Sequence, residues 1–200
     1  MEQGKQRIAV FGAGGHGKVV VDAIERNTGL AVACVVDDRP QPGAAVLGHP
    51  VAGVREVLLA RRDAIDGVIV AIGDNRTRME VAAWLEVQGF VLQGVVHPAA
   101  VVAPSASIGA GALVMPGAVV NAEARIGANA IINTGAVVEH DCVVGDGVHV
   151  APGAVLCGGA SVGACTLVGA GAVVLPGVKV GPALLVKAGT VAMRNMEKEG

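Results

Sequence analysis

The 200-residue chain is unusually apolar, with 52% hydrophobic residues, 16% charged residues, 30 Gly and only Phe11, Trp84 and Phe90 as aromatics. That length allows one or two domains, filled by small branched side chains. A net charge of −2 without a run of Lys or Arg excludes the basic footprint of a nucleic-acid binder. The N-terminus has no basic segment followed by an apolar run and a small-residue cleavage site, so no signal peptide is expected. Cys34, Cys142, Cys157 and Cys165 have no CxxC spacing and read as small buried thiols of a reducing, cytoplasmic compartment.

The first half reads as a small α/β unit with a parallel sheet. An apolar strand is expected at 7–11, leading into Gly12-Ala13-Gly14-Gly15-His16-Gly17-Lys18 and an apolar helical segment at 19–24. Further strands are expected at 31–36, ending in Asp37 and Asp38, and at 67–72, ending in Gly73, Asp74, Asn75 and Arg76. A helix at 77–89 carries Val81, Trp84 and Leu85 on one face.

The glycine pattern at 12–17 thus sits between a strand and a helix. There Gly12, Gly14, Gly15 and Gly17 let backbone N–H groups approach a phosphate near the positive end of the helix. The acidic pair about 20 residues on suits a ribose or a base. A dinucleotide needs two such halves and this segment supplies one, so a nucleoside diphosphate is favoured over NAD. His16 either bonds a phosphate or sugar-proximal group or caps the loop; Lys18 faces either phosphate or solvent.

From Val96, a step of six residues reaches Val186 and meets Val, Ile or Leu at all sixteen positions. A period of 18 overlies it, with Gly at 109, 127, 145, 163 and 181 and a Gly-Ala-(Val/Leu)-(Val/Leu) run recurring from 117. Neither a helical period nor simple alternation fits. Three sixes make one triangular coil, each six giving a short strand with one inward aliphatic and a turn where Gly or a small residue allows unusual backbone angles. Residues 147–178 contain no Asp, Glu, Lys or Arg, a length that could span a membrane. Recurrent Gly and Pro and the periodic apolar residues point to a soluble solenoid instead. His97 is read as the start of the solenoid. The expected domains are 1–92, a nucleotide-binding α/β domain or half of a Rossmann-like fold, and 93–200, a parallel β-helix.

The repeat resembles that of the hexapeptide-repeat acyltransferases. The resemblance implies a left-handed β-helix, a homotrimer with active sites between subunits, and acetyl-CoA as co-substrate. Further segments narrow it: Phe-Gly-Ala-Gly-Gly-His-Gly-Lys-Val-Val at 11–20, Asp37-Asp38, Ala-Ile-Gly-Asp-Asn-Arg at 71–76, His97-Pro98, and Ile-Asn-Thr-Gly-Ala-Val-Val-Glu-His-Asp-Cys at 132–142. Together they resemble the bacterial nucleotide-sugar N-acetyltransferases and the related sialic-acid O-acetyltransferases. The segments at 71–76 and 132–142 look most like enzymes acting on GDP-perosamine, with the UDP-4-amino-sugar enzymes slightly further away.

The family pattern implies N-acetylation of a nucleotide-linked 4-amino-4,6-dideoxy sugar. It makes His140 the general base, Asp141 its orienting carboxylate, and His149 a neighbour of the acetyl group. Gly158 would offer its N–H to the thioester oxygen, Gly169 and Ala170 would line the pantetheine channel, and Lys187 would bind the cofactor. Residues 188–195 lack the Gly-x-Pro-Ala-Lys ending usual in the family. The histidines have no metal-ligand spacing, and no metal, membrane or nucleic-acid partner is expected. The rival readings are sialic-acid O-acetylation and a non-catalytic β-helical binding or scaffold protein.

Overall fold

The computed structural model describes residues 4–197. The chain divides into two compact units with the boundary between Pro98 and Ala99. The first unit runs β1 (Gln6–Phe11), α1 (Gly15–Arg26), β2 (Leu30–Val36), the hairpin strands β3 (Ala45–Val46) and β4 (His49–Pro50), α2 (Glu56–Ala60), β5 (Gly67–Val70), α3 (Asn75–Val87) and β6 (Val95–Val96). The parallel sheet has the order β2-β1-β5, with Val10 level with Val35 and Ile69. Every residue of β5 is buried, as expected of a parallel strand covered on both faces. Phe11, Val36, Val70, Val81 and Leu85 pack in one cluster, so α3 is held by the apolar stripe that the sequence displays. The chain leaves β1 toward β2 on one side, while β5 flanks its other side. This topological switch opens a crevice at the carboxyl ends of the strands.

The second unit is a left-handed β-helix of about five turns. Its strands are two residues long and stack in parallel with a register of 18. The first face carries Val101–Val102, Val119–Val120, Val137–Val138, Val155–Leu156, Val173–Val174 and Val191–Ala192. The second carries Ser107–Ile108, Arg125–Ile126, Val143–Val144, Ser161–Val162 and Lys179–Val180. The third includes Leu113–Val114, Ile131–Ile132, His149–Val150, Leu167–Val168 and Leu185–Val186.

The second residue of most of these strands points inward and is buried. Each such aliphatic contributes about 1.5–3 kcal/mol relative to exposure. The six-residue step overreaches at its start, because Val96 is 38% exposed while its neighbour Val95 is buried. The interior also takes two residues per six rather than one. Ala112, Ala118, Ala124, Ala130, Ala136, Cys142, Val148, Ala154 and Ala160 are buried two places before the strand aliphatics. Most are alanine because the prism narrows toward its corners.

The turns also differ from the sequence expectation, since two kinds of glycine do different work. Left-handed backbone recurs every six residues, at Gly135, Gly147, Gly153 and Gly159 among others, and Glu123, Asn129, Asp141, Cys165 and Ala183 adopt it without being glycine. The glycines at 109, 127, 145 and 163 lie outside that phase. A Cβ on Gly145 would lie 2.7 Å from the Ala164 N of the next coil. Those residues are small because stacked backbones touch there.

Candidate active site

In the first unit, a cleft of about 460 Å³ is lined by Phe11, Gly12, Gly14, Gly15, His16, Asp37, Asp38, Arg39, Arg55, Ala71, Ile72, Gly73, Thr77, Glu80 and Val81. Its glycines are of two kinds. Gly12 has φ +121°, and a Cβ there would meet the Ala71 carbonyl oxygen at 2.7 Å; a Cβ on Gly17 would meet the Gly12 carbonyl oxygen at 2.2 Å. These two close the turn and let α1 pack on β1. Gly14 and Gly15 face open space, so their lack of side chains leaves room for a ligand. Gly14 also caps α1 without a side-chain bond, and the first turn has no acidic residue. No acidic residue of the first turn therefore neutralises the partial positive charge of the helix start.

The acidic pair is first engaged within the protein. Asp37 accepts from the Ala13 N–H through Oδ2 and from the Arg39 N–H through Oδ1, both at 2.8 Å. It thereby ties the glycine loop to the end of β2. Asp38 accepts from Arg55 Nε at 2.9 Å, with Arg55 Nη2 on the same oxygen. The Arg55 hydrogen bond holds the Asp38 carboxyl below its ordinary range, and Asp38 raises Arg55 in turn. The Arg55 guanidinium also lies 5.6 Å from the Phe11 ring and 4.9 Å from the Trp84 ring, within cation–π range. The pair is about one-third exposed, so screening leaves it a modest stabiliser that fixes geometry.

Of the residues singled out from sequence, Gly12, Gly14, Gly15, His16, Asp37, Asp38 and Gly73 line this cleft. Gly17 lies beneath the loop. Lys18, Asn75 and Arg76 are not among the lining residues. Arg76 pairs with Glu80 along the exposed face of α3 at 2.8 Å, and Asn75 Oδ1 accepts from Arg78. Arg55, Arg39 and Thr77 were missed, because nothing in the sequence ties Arg55 to an aspartate 17 positions earlier.

In the second unit, the residues singled out fall on two edges and one face of the prism. His140 and Asp141 follow the first-face strand Val137–Val138 and occupy the edge leading to the second face. His140 Nδ1 and Asp141 Oδ2 are 2.8 Å apart. A carboxylate only accepts, so the proton sits on Nδ1 and the Nε2 lone pair is left for chemistry. Asp141 holds the left-handed turn position with φ +60°, where glycine would be easier. Gly158 stacks one coil beyond His140, and a Cβ there would lie 2.6 Å from both Cε1 and Nε2 of the ring. Glycine at 158 is thus what lets the imidazole lie flat against the next coil.

His149 lies on the third face, opposite that edge of the triangle. Asn133 Oδ1 accepts from the Thr134 N–H at 2.8 Å, which turns Nδ2 to His149 Nε2 at 2.9 Å. Nε2 is then an acceptor, and neutral His149 carries its proton on Nδ1. Asn133 was also missed as a partner, because coil arithmetic sets it level with Ala151 and the contact to His149 runs diagonally between coils. Gly169, Ala170 and Lys187 lie beyond third-face strands, on the edge leading to the first face. A Cβ on Gly169 would meet the Ala188 N at 2.5 Å. One chain therefore does not bring His140 and His149 together.

Residues 7–85 match the family model described as PglD N-terminal domain, and residues 123–158 match bacterial transferase hexapeptide (six repeats). A variant of perosamine N-acetyltransferase from Caulobacter crescentus, solved with CoA and GDP-perosamine, is 42% identical; the match covers 98% of this chain and 91% of that one, with a TM-score of 0.90. The chain belongs to the hexapeptide-repeat nucleotide-sugar N-acetyltransferases. Another structure similar to this family member is the acetyltransferase domain of PglB from Neisseria gonorrhoeae with acetyl coenzyme A. It is 35% identical, covers 96% of this chain and 93% of that one, and has a TM-score of 0.89. The UDP-N-acetylbacillosamine N-acetyltransferase of Bacillus subtilis is 37% identical over 113 residues, or 55% of this chain. The chain spans about half, 51%, of that curated relative.

Proposed function

We propose that the protein transfers the acetyl group of acetyl-CoA to the amine of a nucleotide-linked 4-amino-4,6-dideoxy sugar. The observation that carries this is the His140–Asp141 pair, with Nδ1 bonded to the carboxylate at 2.8 Å and the opposite ring nitrogen seated over Gly158. The amine nitrogen bonds to the acetyl carbon as the bond to sulfur breaks. His140 Nε2 takes the amine proton and returns it to the departing thiolate, while Asp141 stabilises the imidazolium between the two steps. The Gly158 N–H beside His140 serves as a donor for the carbonyl oxygen, and His149 of a neighbouring chain, oriented by Asn133, lies beside the acetyl group. The small residues at 169 and 170 leave a thin strip along the prism edge that suits a pantetheine arm, and Lys187 suits its phosphates. The cleft around Gly14, Gly15 and His16 takes the nucleoside diphosphate, matching the GDP-perosamine bound by the Caulobacter relative.

The working form is a homotrimer of the cytoplasm. Outward positions on the first face are Val101, Val119, Val137, Val155, Val173 and Val191, a column of one apolar residue type. The edges on either side of it carry the two halves of the chemistry. Packing this face against a second copy buries the valines and brings His140 of one chain toward His149 of another. No helix among the described residues is long and apolar enough to cross a membrane, and all four cysteines are free, as a reducing compartment would leave them.

A thiol-release assay with acetyl-CoA and a panel of GDP- and UDP-linked amino sugars tests the reading. Turnover with a nucleotide-linked 4-amino sugar supports it. Turnover with sialic acid alone, or with no acceptor in the panel, overturns it.

A further inference from the structure

The largest fully buried side chain in the first unit is a cation. Arg78, on α3, is 1% exposed. Its Nη1 donates to the carbonyl oxygens of Ile72 at 2.9 Å and Gly73 at 3.1 Å, and its Nη2 donates to Asn75 Oδ1 at 2.8 Å. Taking a guanidinium out of water is costly unless its donors are met, and an apolar residue would pack a helix against a sheet more cheaply. What an apolar residue could not do is hold backbone carbonyls.

We propose that Arg78 is a positioning residue for the nucleotide, acting through the loop between β5 and α3 and touching no ligand itself; this rests on the nucleotide-sugar reading of the cleft. Ile72 and Gly73, whose carbonyls it holds, both line that cleft. None of the described peptides is cis, and in a trans peptide the carbonyl and the following N–H point in opposite directions. Drawing the Ile72 and Gly73 carbonyls to Arg78 therefore turns the N–H groups of Gly73 and Asp74 away from it. Those N–H groups stand at the start of α3, where the helix adds partial positive charge that favours a nucleoside diphosphate in the cleft.

The same segment supports the glycine loop. Ala71 N donates to the Phe11 carbonyl at 2.7 Å, and a Cβ on Gly12 would come within 3.2 Å of Ile72 Cγ1. A shift at 72–73 thus moves both walls of the cleft. Asn75 belongs to this arrangement as a partner of Arg78, which accounts for its absence from the lining. Lysine at 78 keeps the charge but offers a compact ammonium in place of a planar fork aimed at three acceptors.

The test combines calorimetry with GDP and UDP and steady-state kinetics on the full-length wild type, Arg78→Lys and Arg78→Met, with Leu85→Ala as comparator. Leu85 is a buried α3 residue away from the loop. Both Arg78 variants are expected to raise the nucleotide Kd and the KM for the nucleotide sugar by about tenfold or more, the scale of one to two lost oriented hydrogen bonds. The kcat at saturation and the KM for acetyl-CoA are expected to stay within about twofold, because a pure positioning effect falls on binding. Leu85→Ala is expected to lower Tm while keeping the nucleotide Kd. A folded Arg78 variant with wild-type nucleotide affinity overturns the proposal and leaves the nucleotide-sugar reading standing. A wild-type protein that binds neither GDP nor UDP overturns both. Should neither variant fold, amide exchange in the wild type decides: added GDP or UDP is expected to protect Gly73 and Asp74, and unchanged exchange at both overturns the proposal.

Discussion

His140 and Gly158 form a unit that a sequence alignment by coil would pair but composition would not. Alanine at 158 would place a carbon 2.6 Å from the imidazole, so the ring must swing off its seat. His140→Ala is expected to lower kcat by about 10² to 10⁴ with acetyl-CoA affinity nearly unchanged. Asp141→Asn should cost less, because it disturbs tautomer and orientation but leaves the base. Gly158→Ala should lower kcat substantially, and adding it to His140→Ala should cost little more, since both changes remove the same positioned nitrogen. Additive losses in that double-mutant cycle would show that Gly158 acts apart from the ring. At this scale the His140–Asp141 contact was legible because the two are chain neighbours. The Asn133–His149 bond was not, because it depends on which residues of successive coils lie side by side.

At the scale of elements, glycine had to be sorted into three uses. In the strand–loop–helix of the first unit, Gly17→Ala would drive a carbon to 2.2 Å from the Gly12 carbonyl oxygen, whereas alanine at 14 meets nothing within 4 Å. Gly17→Ala is therefore expected to lower the stability of the first unit by about 1–3 kcal/mol or prevent folding. Gly14→Ala should keep Tm and weaken nucleotide binding; thermal melts and calorimetry on the two variants separate these effects. In the solenoid, Gly145→Ala would put a Cβ 2.7 Å from the backbone of the next coil, while Gly153, with φ +67°, has open space around it. Urea titrations should find Gly145→Ala the worse of the two, at about 1–3 kcal/mol, against about 1 kcal/mol for the left-handed penalty of Gly153→Ala. The reverse order would overturn the stacking argument. The sequence marked all of these glycines but could not separate a dihedral need from a contact need, since contact depends on the coil above.

At the scale of the whole molecule, the first face of a lone chain presents a column of valines, half-buried at Val119, Val137, Val155 and Val173 and open at its ends, where Val101 is 63% and Val191 50% exposed. Static light scattering is expected to give a trimer. Val155→Glu should yield smaller species without acetyl transfer while retaining nucleotide binding, which the proposed function assigns to the first unit. A monomeric wild type with full activity would remove the shared-site model. A small acid-dependent contribution in the first unit has a separate origin. Asp66 is drawn down to about 2, chiefly by the side-chain hydrogen bond from Arg7 and then by the Arg7 N–H. A carboxylate depressed in the folded state stabilises fully above its unfolded pKa of about 4 and loses that stabilisation as pH falls toward the folded value. Both side chains are well exposed, at 49% and 38%, so the contribution is small. In acid titrations of unfolding, Asp66→Asn should flatten the slope between about pH 4 and 2 and leave stability near neutrality only slightly lower.

The sequence by itself determined the solenoid, because a short strand with one inward residue imposes a six-residue step that neither the helical period nor strand alternation gives. It also determined the α/β unit, through apolar strands and a glycine turn in series, and the adjacent acid–base pair. Which side chains build the cleft of the first unit was decided by tertiary structure: Arg55, which lines it and bridges to Asp38 near two aromatic rings, and Arg78, buried beneath the loop whose carbonyls it holds, come from segments whose spacing carries no signal. The inner alanine layer and the separation of His140 from His149 belong to the same class. Each follows from three faces closing into a prism, a condition set by the stacking of coils and by no single repeat.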